Sequence, residues 1–199
     1  MEPSLSPDDI DVLFALADFG VREGLAGRPA PVVDAAALDE PLRQHRGVFV
    51  TLEVAGELNG CIGTVEAVQP VGAAVPRLAW AAAFDDARLP ALTAGDYPDL
   101  EYKLSLMTPL EEIAAGSEQQ VLAALRPGVD GLVIRHRSTT GTFLPAVWAK
   151  VPDPVEFLRH LERKAGLRPG RWPAGMQAWR YQADEHRRRA VDIPRRSAA

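Results

Sequence analysis

Apolar residues recur along this chain with two different periods. Ile10, Leu13, Phe14, Ala17 and Val21 fall on one face at helical spacing. The preceding Ser6-Pro7-Asp8-Asp9 reads as a helix start. Ser6 can cap free amides, Pro7 suits the first helical position, and the aspartates favour the positive end of the dipole. Gly24 and Gly27 end the segment, residues 28–37 read as a Pro/Ala-rich connection, and Leu38–His45 as a short helical turn. Over Val48–Val54 the period becomes two, with Val48, Val50, Leu52 and Val54 on one side. Ala55-Gly56-Glu57 can turn the chain so that Leu58–Val65 returns as the partner strand. Helical spacing resumes over Val71–Phe84, through Val71, Ala74, Val75, Leu78 and Ala82, with Pro76 as an interior bend.

Leu100–Leu106 alternates cleanly, which predicts a strand with one wet face. Ser117-Glu118-Gln119-Gln120 matches a capping box opening a short helix through Val121, Leu122 and Leu125. Leu132–Arg137 and Thr142–Trp148 read as strands joined by Ser138-Thr139-Thr140-Gly141. Asp153-Pro154-Val155-Glu156 starts another helix, with Phe157, Leu158, Leu161 and Ala165 on its apolar face and Gly166 at its end. Trp179–Ala183 reads as a last strand. Antiparallel pairs mixed with helices, without regular β-α alternation, predict an α+β fold: an antiparallel-rich sheet flanked by helices. Residues 5–184 read as one domain, and 185–199 as a flexible Arg-rich tail without periodicity.

Composition narrows the function classes. At 199 residues, 47% hydrophobic and 25% charged, the chain has the make-up of a soluble globular protein. The formal net charge of −5 argues against non-specific nucleic-acid binding, which rewards basic surfaces. No apolar run approaches the roughly 20 residues that span a bilayer, and the N-terminus lacks the basic and apolar regions of a signal peptide. One cysteine forms no internal disulfide, so a cytoplasmic location is expected. High Ala, Pro, Arg and Gly usage suggests a GC-rich bacterial genome.

Several blocks in fixed order carry a family resemblance. They are Gly47-Val48-Phe49-Val50-Thr51-Leu52, Leu58-Asn59-Gly60-Cys61-Ile62-Gly63-Thr64 and Phe84-Asp85-Asp86-Ala87-Arg88-Leu89-Pro90. Gly128-Val129-Asp130-Gly131-Leu132, Thr142-Phe143-Leu144-Pro145-Ala146-Val147-Trp148 and Arg163-Lys164-Ala165-Gly166 follow. The ordered set resembles the AMMECR-one domain family, whose bacterial members form protein A of the AmmeMemoRadiSam system. The resemblance implies an α+β fold with a larger and a smaller lobe and a cleft between them. It implies no established reaction and leaves the cofactor unknown. It also implies a pathway shared with a radical SAM protein and a Memo-type, dioxygenase-like protein. Asn59 stands where the family pattern has arginine, Leu89 where it favours phenylalanine, and Ala146 where it favours a polar residue. A neutral amide replacing a planar cation weakens the case for an anionic ligand.

Each candidate site residue has a functional and a structural reading. Cys61 is the candidate catalytic nucleophile; a nucleophilic thiol needs a nearby histidine, cation or helix N-terminus. The alternative is a small apolar residue packed on a strand. Candidate ligand-binding residues are Asn59, Gly60, Gly63, Thr64, Asp85, Asp86, Arg88, Asp130 and Thr142. The glycines would admit a ligand or another backbone closely. Asp85, Asp86 and Arg88 could form a binding lip with Arg88 as anion clamp, or simply a helix C-terminal turn. Asp130 reads first as a turn residue, and Thr142 as part of a packed strand. His45, His136, His160 and His186 match no motif around Cys61, so no Cys-His dyad is expected. No metal spacing or phosphate loop occurs. Arg187-Arg188-Arg189, with Arg195 and Arg196, could touch an acidic partner but reads better as a solvated tail. Two functions follow: an enzyme or enzyme component acting on a small molecule near Cys61, or a non-catalytic module binding a ligand or a protein partner.

Overall fold

A computed structural model describes residues 5–194. Helix α1 spans Pro7–Leu25, and its start is a closed capping box: Ser6 accepts the Asp9 amide while Asp9 accepts the Ser6 amide. Strands β1 (Val48–Val54) and β2 (Glu57–Thr64) make a hairpin. Its two-residue turn puts Ala55 at φ 51 and Gly56 at φ 85, the left-handed pair that matches strand twist. Val48, Val50 and Leu52 point into a core completed by α1 and by helix α2, Val71–Phe84. Helix α2 approaches both α1 and β2 closely at glycines. A Cβ on Gly20 would lie 2.0 Å from the Pro76 carbonyl oxygen, and one on Gly60 1.9 Å from that of Ala82.

Strand β3 (Leu100–Met107) pairs antiparallel with β1 on the side away from β2. Its inward residues Leu100, Tyr102, Leu104 and Leu106 are buried, as the alternation predicts. The other face is drier than expected: Ser105 is buried, Glu101 and Lys103 are half-buried. The reason is strand β8, Ala183–Arg189, which completes a sheet of order β2-β1-β3-β8. This corrects the expectation of a flexible tail from Glu185. Lys103 pairs with Glu185 at 2.8 Å, and Arg187 reaches both Glu53 and Glu101 at 3.0 and 2.7 Å. Beyond the strand, Ala190 and Ile193 are buried in the same core. Arg195 and Arg196 lie outside the described residues.

The chain from Met107 to Ala183 forms a second, smaller unit with its own core. It contains β4 (Glu111–Ile113), α3 (Glu118–Ala124), β5 (Gly131–His136), β6 (Thr139–Phe143), α4 (Pro154–Lys164) and β7 (Gln177–Tyr181). Its sheet order is β4-β7-β5-β6 with antiparallel pairing throughout. The strand expected at Thr142–Trp148 stops at Phe143. Pro145 has no amide for the ladder and opens a short 3-10 helix, Pro145–Ala149. That turn swings Trp148 into the core, where it stacks on Phe157 with centroids 3.8 Å apart. The β5–β6 turn is Arg137-Ser138, tighter than the four residues expected, with Arg137 at φ 56. At α3, Ser117 caps the Gln120 amide, but Gln120 returns its side chain to Gly116 and the box stays half-made. The last strand of this unit starts two residues earlier than Trp179, and Ala183 opens β8. No described helix is long and apolar enough to cross a membrane.

Candidate functional site

Strand β2 lies at the edge of its sheet. An edge strand carries a row of main-chain donors and acceptors that need partners. Its register contains one extra residue. Leu52 faces Gly60 and Glu53 faces Leu58, so Asn59 is a bulge. Without the bulge, the two-residue turn would set Cys61 opposite Val50, a core position. With it, Cys61 faces Thr51, while Gly60 faces Leu52 and Ile62 faces Val50. The bulge therefore places a residue without a side chain under α2, sends Ile62 to the core, and moves Cys61 to the opposite face.

The main chain of Cys61 is gripped from the open edge. Its N–H donates to Asp86 Oδ2 at 3.0 Å, and its carbonyl accepts from Arg88 Nη2 at 2.9 Å. Arg88 also forks onto Asp86, with Nε to Oδ1 at 2.8 Å and Nη2 to Oδ2 at 2.6 Å. One acceptor and one donor thus stand where a neighbouring strand would supply them. They come from the turn after α2, whose end is close to β2 because Gly60 admits Ala82. Asp86 is only 7% exposed. The Arg88 guanidinium, helped by the Cys61 and Arg88 amides, holds its carboxyl well below the usual carboxylate range despite burial. The Arg88 side chain remains 66% exposed.

The Cys61 thiol is half-buried, and the Thr51 hydroxyl donates to Sγ at 3.3 Å. Arg88 meets the carbonyl of Cys61, not its sulfur. Asn59 Nδ2 makes a long bond of 3.4 Å to the Pro90 carbonyl, and its Oδ1 is buried without a partner. The Thr64 hydroxyl accepts the Glu66 amide where the chain leaves the strand. Gly63 sits where a Cβ would be 2.3 Å from the Val48 carbonyl oxygen, so its own partner strand requires glycine. Asp85 is exposed at the end of α2 and takes no part in the bonds around Cys61. The structure therefore brings together Asn59, Gly60, Cys61, Asp86 and Arg88 from the expected set, and adds Thr51. Thr51 was missed because the pairing of the hairpin was not followed through to the residue opposite Cys61.

Asp130 and Thr142 belong to the second unit. Asp130 is fully buried and receives the Arg126 amide at 2.9 Å and Nη2 at 2.6 Å, while its own carbonyl accepts Trp148 Nε1 at 2.7 Å. These bonds close the turn that feeds β5. Thr142 shares a hydrogen bond of 2.9 Å with Tyr181, whose phenol burial pushes up to about 12. His45 bridges to Pro70, His136 ends β5, His160 lies 3.9 Å from Glu156, and His186 is on β8. Among the described residues, no group of three or more His, Cys, Asp or Glu could hold a metal ion.

A family model described as AMMECR1 matches residues 17–186. A protein of Methanothermobacter thermautotrophicus is 37% identical over 169 residues, covering 83% of this chain and 86% of that one. One of Thermofilum pendens is 33% identical over 196 residues, covering 90% and 89%. The crystal structure of an uncharacterized protein, PH0010, from Pyrococcus horikoshii matches with a TM-score of 0.78 and 28% identity, covering 94% of this chain and 93% of that one. These names state no activity.

Proposed function

The chain belongs to the AMMECR1 family, and from that premise we propose that it handles a small molecule beside Cys61, as an enzyme or as a component of one. One observation carries this reading: the Asp86–Arg88 pair is fastened to the main chain of Cys61 while the guanidinium stays 66% exposed next to a half-buried thiol. A rigidly held cation beside a thiol can orient a polar ligand without paying to order itself on binding. Gly60, Gly63 and Thr64 set the shape of the strand below that ligand. Asn59 contributes an amide where the family pattern has a cation, so the ligand need not be strongly anionic.

A second reading rests on a different observation. Both oxygens of Asp86 are engaged by Arg88 and the Cys61 amide, and no histidine is hydrogen-bonded to Cys61 among the described residues. A thiol without a proton acceptor lacks the partner that nucleophilic catalysis uses. On this reading the chain is a non-catalytic module that presents its ligand to a protein partner, of the radical SAM or Memo type. A bacterial and cytoplasmic setting, read from composition, belongs to the same proposal; the relatives named above are archaeal.

Native mass spectrometry of the protein purified from its own host tests both. The leading reading expects a retained small molecule, lost in Arg88→Ala and Cys61→Ser. Retention of a partner protein without a small molecule favours the second. A wild type carrying only the mass of its own chain contradicts both.

A further inference from the structure

Strands β3 and β8 are neighbours in their sheet, and charged pairs step along one face of them. Lys103 Nζ meets Glu185 at 2.8 Å, and Arg187 Nη1 meets Glu101 at 2.7 Å. Each step moves two residues back along β3 and two forward along β8. That interval keeps side chains on one face of a strand. The same step from Glu101 and Arg187 leads to Asp99 and Arg189, again one anion and one cation. This third pair is not made. Asp99 and Arg189 are both exposed, and neither has an ion pair or a side-chain hydrogen bond among the described residues.

The backbone gives the reason. Asp99 ends the 3-10 turn Tyr97–Asp99, just before β3 begins at Leu100, so the strand geometry that aligns the first pairs stops short of it. Its carbonyl accepts the Ala55 amide at 3.2 Å, which fastens it to the β1–β2 hairpin. A cavity of about 250 Å³ opens here, lined by Asp99 and Arg189 together with Glu53, Glu101, Ala55 and Gly56. All of these belong to one compact unit. A Cβ built on Gly56 would meet nothing within 4 Å, so the hairpin side of the cavity is uncrowded. Glu53 and Glu101 are already neutralised by Arg187, at 3.0 and 2.7 Å. The charge left over is therefore balanced: one carboxylate and one guanidinium. That balance suits neither a metal ion nor a polyanion, and fits a ligand carrying both signs.

We propose that this open pair binds a free α-amino acid, with the ligand carboxylate on the Arg189 guanidinium and the ligand ammonium on the Asp99 carboxylate. A guanidinium matches a carboxylate with parallel N–H donors. An ammonium group has three donors to place. The bonds to Arg187 use Glu53 Oε2 and Glu101 Oε1, which leaves one oxygen of each glutamate for the donors that Asp99 does not take. Sites for drug-sized ligands start at about 300 Å³, so a cavity of about 250 Å³ suits a smaller molecule. The β1–β3 ladder, the Arg187 bridge and the Ala55–Asp99 bond fix the walls in advance, so little has to be ordered on binding. A ligand with only one of the two charges would satisfy one group and leave the other as it stands. Cys61 does not line this cavity, so the site is independent of the small molecule proposed beside that thiol.

Amide NMR of the full chain at pH 7, titrated singly with each standard L-amino acid to roughly 10 mM, tests the site; that range saturates an interaction of about millimolar Kd. At least one amino acid should shift the Ala55 and Gly56 amides saturably. Its N-acetyl derivative and its methyl ester each lack one charge, and each should bind about tenfold more weakly to the wild type. Arg189→Gln and Asp99→Asn, both at exposed side chains, should weaken the parent amino acid by a similar factor while the melting temperature is retained. The proposal is overturned by any of three results: no amino acid shifts those amides saturably, either derivative binds as well as its parent, or either variant binds like the wild type.

Discussion

Asp86 is the residue on which the edge of β2 depends. Because its carboxyl is held ionised below the ordinary range, the stability it supplies is fully present above the usual aspartate pKa. It is lost progressively as pH falls below the usual aspartate value and through the lowered one. Asp86→Asn should cost about 1–3 kcal/mol at pH 7 and flatten the acid limb of the stability curve, as urea unfolding at pH 7 and pH 3 would show. Equal losses at both pH values would mean that shape, not charge, is what Asp86 provides. Gly60 makes a second prediction. Its Cβ would meet the Ala82 carbonyl oxygen at 1.9 Å, a main-chain atom that cannot rotate away. Gly60→Ala should therefore destabilise by about 1–3 kcal/mol or more, read from the same unfolding curves. The cluster of Cys61 with Asp86 and Arg88 was legible from the order of the motifs. The bulge at Asn59 was not, because it answers to the need for a bare glycine beneath α2, a packing demand that no local pattern displays.

At the scale of elements, strands and helices were legible where apolar residues marked the period and illegible where they did not. The hairpin, α2 and β3 follow directly from Val48–Val54, Val71–Phe84 and Leu100–Leu106. Strand β8 reads Ala-Asp-Glu-His-Arg-Arg-Arg and shows no apolar face, since ion pairs to Lys103, Glu53, Glu101 and Asp11 and the ladder itself hold it. At Thr142–Trp148 the apolar run was real, but Pro145 turned it into a 3-10 helix. A truncation after Ala183 discriminates the strand from a flexible tail. It should bare the edge of β3 and the core beneath Ala190 and Ile193, lowering the melting temperature and causing aggregation on gel filtration. An unchanged melting temperature would return the segment to the status of a tail.

At the scale of the whole molecule, two cores are specified by separate sets of residues. Phe157 lies at the centre of the second, stacked on Trp148 and edge-on to Phe143 at 5.3 Å. Phe157→Ala should cost about 3–5 kcal/mol and abolish the near-ultraviolet dichroism of the stacked pair; retention of that signal would show that the stack is not what orders the unit. The central claim concerns the first core's edge: the proposal that Cys61 is a reachable thiol whose reactivity responds to the Arg88 cation bound at its carbonyl. The most direct measurement is the rate of Cys61 alkylation by iodoacetamide, followed by intact mass at pH 7 in wild type and in Arg88→Gln. Glutamine is polar but shorter, so it removes the charge together with the fork on Asp86. The account predicts labelling of the folded wild type, several-fold slower labelling of the variant, and equal rates once both are unfolded. A thiol that reacts only after unfolding, or equal rates in the folded proteins, would contradict it and leave Cys61 as a packing residue on an edge strand.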